Sequence, residues 1–457
     1  MGENISTKED KRILIMRDEK PRKAVIVMSI PVIIGMLVMV LYNLVDTYFI
    51  GRLNDPIKLA AANLSMPAMM ICVAIASMVG TGAASYIARS LGADKKERAD
   101  ATLVISIAIL FIFSLFISVF GILFLDKFVE MLGANKDTSF YTKEYVRVLL
   151  IGTLFIMSNY ALGQLLRAEG STKLAMFGML LGTVINIILD PIFIFTLKLG
   201  VKGAAIATVL GNILGTLYCI ICYLKKKTLL SINLKLLSFD KEILKEIFYV
   251  GLPATLEQLL TIGAIVVNNN LAATYGYMTV AAMGITSKVM SIGNYIYMGF
   301  AAGSQPLMGY NYGAKNLKRV KDLVKASVST VSFVEIFVMI IFGVFAPQII
   351  GIFTSDQEVI KIGAIILRAL MFNLPFVGAT SISRITFQSM GKPMPALIIT
   401  ICRQGVLYIP LLILLNKFVG FNGFIYAQPI TEVIMMVISV TFLLRVIKKE
   451  NKVDTIN

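Results

Sequence analysis

Apolar runs of about twenty residues recur along this chain from residue 24 to residue 444, and no other feature constrains its fold as strongly. Each run is long enough to cross the hydrocarbon core of a bilayer, about 30 Å thick, as a single helix. Because no water reaches the backbone at that depth, each run has to form its hydrogen bonds internally. Charged residues make up only 15% of the chain, against roughly 25% in an average soluble domain. The sequence therefore predicts an all-α membrane protein with twelve transmembrane helices.

The net charge of +16 could indicate a nucleic-acid partner, but the distribution of the charge argues against one. Of the 43 Lys and Arg residues, 30 lie in the N-terminal segment, the tail and the alternate loops on one side of the predicted helices. Positive charge of this kind marks the cytoplasmic side of a membrane protein. We therefore expect a multi-pass protein of the cytoplasmic (inner) membrane, with both termini cytoplasmic and no nucleic acid bound.

The two halves of the chain resemble each other at an offset near 221 residues. Pro31 corresponds to Pro253, and Gly92 in Leu-Gly-Ala corresponds to Gly313 in Tyr-Gly-Ala. With six helices in each repeat, both halves have the same orientation, which makes them parallel repeats. The predicted organisation is a cytoplasmic N-terminal segment at 1–23, an N-lobe at 24–224, a cytoplasmic linker at 225–242, a C-lobe at 243–444 and a cytoplasmic tail at 445–457.

Two parallel lobes around a central cavity are typical of secondary transporters, which work by alternating access. The sequence has no Gly-Lys-Ser/Thr phosphate-binding loop, so an ion gradient rather than ATP is the expected driving force. The chain contains no His, and no metal-ligand cluster or catalytic constellation points to a membrane-bound enzyme. We therefore expect a transporter that is not an enzyme, needs no cofactor and couples to H⁺ or Na⁺.

Asp46 and Asp190 are ionisable residues inside predicted membrane helices, where charge is costly and usually functional. At a rise of about 1.5 Å per residue, both lie in the outer half of the membrane. Asn186, one turn before Asp190, and Thr208, on the next helix, lie at a similar depth. Their oxygens suit a hard cation such as Na⁺. In a chain without His, carboxylates such as these are also the groups that would have to carry a coupled proton.

Other readings of these charged and polar residues remain open. Asp46 could lie at the wetted outer interface near Arg52, and Asp190 could satisfy backbone groups that Pro191 leaves free. The C-terminal half carries buried charges of both signs, which could form internal ion pairs or line a cavity. Our candidates for the substrate cavity are Glu257, Gln258, Asn269, Lys288 and Arg403.

Several short motifs, taken together, resemble one transporter family across essentially the whole chain. The N-terminal half has Ser29-Ile-Pro31, Tyr42-Asn-Leu-Val-Asp46-Thr, Leu91-Gly-Ala-Asp-Lys-Lys96, Leu166-Arg-Ala-Glu-Gly170, Asn186-x-x-x-Asp190-Pro191 and Gly203-Ala-Ala-x-Ala-Thr208. The C-terminal half has Gln305-Pro306 through Asn311-Tyr-Gly-Ala314, and Phe387-Gln-x-x-Gly391-Lys. In this order and spacing the motifs resemble the multidrug and toxic compound extrusion (MATE) family. The closest likeness is to its bacterial MepA-like branch, with the N-lobe aspartates of the DinF-type group.

The resemblance implies a twelve-helix antiporter, embedded in the lipid bilayer, that exports cationic or amphipathic organic compounds in exchange for H⁺ or Na⁺. It implies that Asp46, Asn186, Asp190 and Thr208 form the cation site of the N-lobe, and that helix 1 bends at Pro31. We expect a monomer. A C-lobe acidic pair like that of the NorM-type members has no clear counterpart here beyond Glu257. The alternative is a lipid-linked saccharide flippase of the same architecture, which the acidic groups of the N-lobe disfavour.

Overall fold

The structure, a computed structural model, describes residues 11–53 and 55–454 and contains helices but no β-strand within them. Twelve long helices follow one another in the chain. We number them α1 (Pro21–Gly51), α2 (Pro56–Gly92), α3 (Lys96–Leu123), α4 (Ser139–Ile151 and Thr153–Ala168), α5 (Thr172–Pro191), α6 (Gly200–Leu224), α7 (Lys241–Thr274), α8 (Tyr277–Gly313), α9 (Leu317–Val344), α10 (Gln357–Met371 and Leu374–Ser389), α11 (Pro393–Ile401 and Tyr408–Val419) and α12 (Phe421–Asp454).

Ten of these helices are long and apolar enough to cross a membrane, by length and composition. The two parts of α4, which meet at a 55° bend, make an eleventh span. Helix α8 is more polar but 37 residues long, so the described residues supply twelve helices of spanning length. In the fifth helix of each half, a π-helical segment interrupts the α-helical pattern, at Ile192–Thr196 after α5 and at Cys402–Val406 within α11.

Polar side chains begin several of the helices where the chain leaves a loop. The Asp55 carboxylate accepts hydrogen bonds from the first free N–H groups of α2, at Ile57 and Lys58. Asp356 does the same at the start of α10. Such caps satisfy donors that have no partner inside the helix. The loops that they end are short, which keeps consecutive spans next to each other.

The chain forms two compact units whose boundaries fall inside helices rather than in loops. Among the described residues, unit 1 comprises residues 11–14 and 34–251, and unit 2 comprises residues 15–33 and 252–454. These limits differ from the lobes proposed at 24–224 and 243–444, because the starts of α1 and α7 are each grouped with the other half of the chain. The first ten residues of the segment 1–23, including Lys8, and the last three residues of the tail 445–457 lie outside the described residues.

In unit 1, the start of α7 packs closely on α2. A Cβ atom at Gly82 would overlap the backbone carbonyl of Ile247, so only glycine permits this approach. An ion pair between Arg89 of α2 and Glu246 at 2.6 Å reinforces this contact, and a second, between Arg98 of α3 and Glu242 at 2.7 Å, joins α7 to the neighbouring helix. The second repeat thus contributes its first helical turns to the unit that the first repeat builds.

In unit 2, the start of α1 makes the corresponding contact with α8. A Cβ at Gly303, which lies 221 residues after the glycine of α2, would overlap Ser29. Just before α1, the Met16 carbonyl accepts a 2.8 Å hydrogen bond from the Asn311 amide, and Met16 is completely buried. Each repeat therefore contributes the start of its first helix to the unit that the other repeat mainly builds.

Candidate functional site

Helices α1, α5 and α6 bring the predicted N-lobe residues together in unit 1. The Asn186 amide donates a hydrogen bond to the Thr208 hydroxyl at 3.3 Å, and the Tyr42 and Thr208 hydroxyls share another at 3.3 Å. A Cβ at Gly211 would lie 2.6 Å from the Gly182 carbonyl, so glycine lets α6 approach α5 at this level. That approach places Thr208 beside Asn186.

The carboxyl groups of Asp46 and Asp190 lie close enough to interact. Asp190 is completely buried, and neither of its carboxylate oxygens has a hydrogen-bond partner among the residues that the structure describes. One oxygen of Asp46 and the amide oxygen of Asn186 are also buried and unpartnered within the same range. Two such carboxylates repel each other and lack solvation unless a positive charge joins them. The arrangement therefore favours a bound cation or proton.

The local sequence explains why Asp190 lies where α5 ends. Pro191 follows it directly, and the chain continues as the π-helical segment Ile192–Thr196. Proline lacks an N–H and disturbs the turn that precedes it, and π-helical turns occur often at functional sites. Among the described residues, no group of three or more His, Cys, Asp or Glu side chains could hold a metal ion.

Four charged residues of unit 2 form a chain of alternating sign. Arg403 donates a 2.7 Å hydrogen bond to Glu432 and lies 3.5 Å from Glu257, which in turn pairs with Arg384 at 2.9 Å. Arg403, Glu432 and Arg384 are buried. Arg384 lies inside the membrane-spanning part of the chain, because α10 continues to Ser389. The four charges neutralise one another.

The five candidates for the substrate cavity do not come together as one group. Glu257 and Arg403 belong to the charged chain described above, while Gln258 lies half-buried on α7. Lys288 and Asn269 are exposed on α8 and α7. Their proposed role in substrate binding stays a prediction.

Two further residues received no role in the sequence analysis. Tyr145 on α4 lies beside Asp46 and Asp190. Glu169, completely buried at the turn after α4, accepts hydrogen bonds from the Ser171 hydroxyl at 2.6 Å and the Leu230 N–H at 2.9 Å. Burial raises the pKa of Glu169 to about 7. A tyrosine on an apolar helix and a glutamate in a turn are both common, so only their three-dimensional surroundings single them out.

Comparison with known proteins places this geometry in a family. The MatE family profile matches residues 31–192 and again 253–414, so the second match begins 222 residues after the first and confirms the internal repeat. The chain is similar to the multidrug export protein MepA of Staphylococcus aureus (strain MRSA252), with 32% identity over 424 residues that cover 93% of this chain and 94% of that protein.

Solved structures agree with the sequence comparison. The fold is similar to that of a multidrug resistance MATE family transporter of the MOP superfamily in an outward-facing conformation, with a TM-score of 0.93, 31% identity, and coverage of 97% of this chain and 99% of the other. It is also similar to a MOP superfamily transporter from Pyrococcus furiosus, with a TM-score of 0.91, 32% identity, and coverage of 96% and 98%. The twelve-helix, two-lobe fold is thereby confirmed, and the chain belongs to the multidrug and toxic compound extrusion (MATE) family.

Proposed function

We propose that this protein is a multidrug efflux antiporter that exports cationic or amphipathic organic compounds in exchange for H⁺ or Na⁺. The observation that carries the proposal is the pair of neighbouring carboxyl groups at Asp46 and Asp190, with buried oxygens that lack protein partners within the described residues. Support for the substrate class comes from the similarity to a multidrug export protein.

The coupling ion would bind between Asp46 and Asp190, with Asn186 and Thr208 as neutral oxygen ligands. A positive charge there relieves the repulsion between the two carboxylates. If the ion and the drug favour different states of the transporter, each lowers the affinity for the other by the same factor. The gradient of the ion would then drive the drug outwards.

The test uses purified protein in liposomes, with pH and Na⁺ gradients imposed separately while efflux of a cationic dye is followed. We expect efflux that is driven by one of the two gradients and that stops when the gradient is collapsed. Absence of dye movement under either gradient would contradict the proposal and leave the saccharide flippase as the next candidate.

We also propose that the protein lies in the cytoplasmic membrane as a monomer, with both termini on the cytoplasmic side. The support is the excess of Lys and Arg on one side of the predicted helices. The linker between the halves belongs to that side, and its residue Asn233 is exposed at the start of a short 3₁₀ turn, Leu234–Leu236.

A cysteine at this position reports the orientation directly. In Asn233→Cys we expect an impermeant thiol reagent to react only after the cytoplasmic side is opened. Lys136→Cys, at an exposed site in the loop between α3 and α4, serves as the opposite control and should react in intact cells. The native cysteines give little background, since three are buried and Cys402 is half-buried. Labelling of Asn233→Cys in intact cells would reverse the proposed orientation.

Pro31 is proposed as the hinge of α1. The boundary between the two units falls two residues after it, and the boundary in α7 falls between Gly251 and Leu252, one residue before Pro253. A proline costs a helix about 3 kcal/mol, so Pro31→Ala makes a straight α1 more favourable. If half of this free energy, about 1.5 kcal/mol, is added to the barrier between the two facing states, the transport rate falls about tenfold.

The matching measurement compares efflux rate per transporter in liposomes with equilibrium drug affinity in detergent. In Pro31→Ala we expect the rate to fall while the affinity stays near that of the wild type. Pro253→Ala, which has no aspartate nearby, should change the rate much less. Equal rates in Pro31→Ala and the wild type would remove Pro31 from the mechanism.

A further inference from the structure

Glu335 in α9 is a completely buried acidic side chain that the network of ion pairs in unit 2 does not include. Both of its carboxylate oxygens lack a hydrogen-bond partner among the described residues. The other buried carboxylates of this unit face arginines, as Glu432 does with Arg403. A buried carboxylate without a donor or a counter-charge is strongly unfavourable. No Lys or Arg among the described residues forms an ion pair with Glu335, so a positive partner from outside this part of the chain would stabilise it.

Two hydrogen bonds between α9 and α10 fix the level at which Glu335 lies. The Ser332 hydroxyl donates to the Pro375 carbonyl at 3.2 Å, and the Arg368 guanidinium donates to the Gly343 carbonyl at 2.9 Å. The two helices thus run in opposite directions, and Glu335 lies between these two contacts, one turn beyond the first. Interpolation between the two contacts puts Glu335 level with residue 373 of α10.

Asn373 occupies the interruption of α10, between the part that ends at Met371 and the part that begins at Leu374. It is completely buried, and neither its amide oxygen nor its amide nitrogen has a partner within the described residues. Pro375 has no N–H, so the Met371 carbonyl one turn earlier lacks its usual helical donor. The interruption therefore presents two further oxygen atoms at the level of Glu335.

Helix α8 lies against the same level from a third direction. Gly293 packs against the Leu374 side chain, and Glu335 lies beside the backbone of Tyr297. The remaining ionisable groups near the middle of these helices and of α12 are already paired with one another; they are Glu257, Arg384, Arg403 and Glu432. Tyr297 is a further titratable side chain at this junction, and it interacts with Arg403, Glu257 and Glu432 of the charged chain.

We infer that Glu335, the Asn373 amide oxygen and the Met371 carbonyl form a second cation-binding site, in unit 2, for a proton or Na⁺. Hard monovalent cations prefer such oxygen ligands, and interrupted membrane helices commonly offer free carbonyls to coupling ions. A proton would occupy the carboxylate alone, whereas Na⁺ would also use Asn373 and Met371. The site shares no residue with Asp46 and Asp190 and involves different helices from Glu257.

The experiment measures equilibrium binding to the purified full-length protein in detergent, so it does not depend on transport. The reference protein is Asp46→Asn/Asp190→Asn, in which the carboxylates of the other proposed site are removed. Binding of radioactive Na⁺ at high pH tests for the metal ion, and infrared difference spectra across pH test for a buried protonated carboxyl group. Two variants are compared with this reference. Glu335→Gln removes the carboxylate, and Glu335→Asp keeps it on a shorter side chain.

If Na⁺ is the ligand, the reference protein binds one Na⁺ and Glu335→Gln binds none. Asn373→Leu should then raise the Na⁺ dissociation constant at least about tenfold. If a proton is the ligand, the carboxyl band of the reference disappears in Glu335→Gln and Asn373→Leu has little effect. Should Glu335→Gln fail to fold, Glu335→Asp must shift the Na⁺ affinity or the infrared titration midpoint. Identical Na⁺ binding and identical spectra in the reference and the Glu335 variants would overturn the inference, whatever the outcome for efflux.

Discussion

Asp190→Asn should abolish ion-driven efflux, with a loss of at least about a hundredfold in rate, which corresponds to roughly 2.7 kcal/mol. Asparagine keeps the shape of the side chain but removes the charge on which ion binding beside Asp46 depends. The same change removes an unpartnered buried carboxylate, so the folded protein should be as stable as the wild type or more stable. Loss of function together with unchanged or increased stability is the combined result expected of a functional site.

The measurement pairs efflux in liposomes with thermal unfolding in detergent. Asp137→Asn, at an exposed position in the loop between α3 and α4, is the matched control and should leave both unchanged. Efflux at the wild-type rate in Asp190→Asn would show that this carboxylate does not carry the coupling ion. A large drop in its unfolding temperature would instead indicate a structural role.

Arg403→Met should be among the most destabilising single changes in the chain, at about 3–5 kcal/mol in the free energy of unfolding. The guanidinium lies 2.7 Å from Glu432 and is 7% exposed. Its removal leaves Glu432, buried in α12, without its cation. The loss comes mainly from this uncompensated charge, because methionine fills much of the same volume with apolar atoms.

A double variant separates the uncompensated charge from simple loss of packing. Arg403→Met with Glu432→Gln removes both members of the pair and leaves Glu257 with Arg384, so most of the stability should return. Lys288→Met, on an exposed position of α8, should change the free energy of unfolding by about 0.5 kcal/mol or less. If the double variant is no more stable than Arg403→Met, the ion pair is not what stabilises this part of unit 2.

The sequence was sufficient to predict the N-lobe cluster because its members carry their own signals. Asp46 and Asp190 are carboxylates inside apolar runs, and helical rise alone puts Asn186 and Thr208 at the same depth. The role of these residues in ion binding is still a prediction. Tyr42 and Tyr145 could not be assigned in the same way, because a tyrosine in a membrane helix is ordinary until its neighbours are known.

The C-terminal half shows where such reasoning ends. Charges of both signs were recognised there, but which carboxylate meets which arginine depends on the rotation of each helix about its axis. Arg384 lies near the end of an apolar run, and only the structure shows that it is buried beside Glu257. The sequence likewise does not show that Glu335 is unpaired, because this depends on which side chains α8 and α10 place next to it.

The reciprocal packing of α1 on α8 and of α7 on α2 has a consequence for how the protein is made. Residues 15–33 are synthesised near the beginning, yet their partners, such as Phe300 and Asn311, come 271 and 295 residues later. Contacts this distant in sequence form late and slowly. The start of α1 therefore enters the membrane early and waits through most of translation for the surface on which it packs. During that interval Ser29 and the buried face around it lack the contacts with α8 that they make in the folded protein.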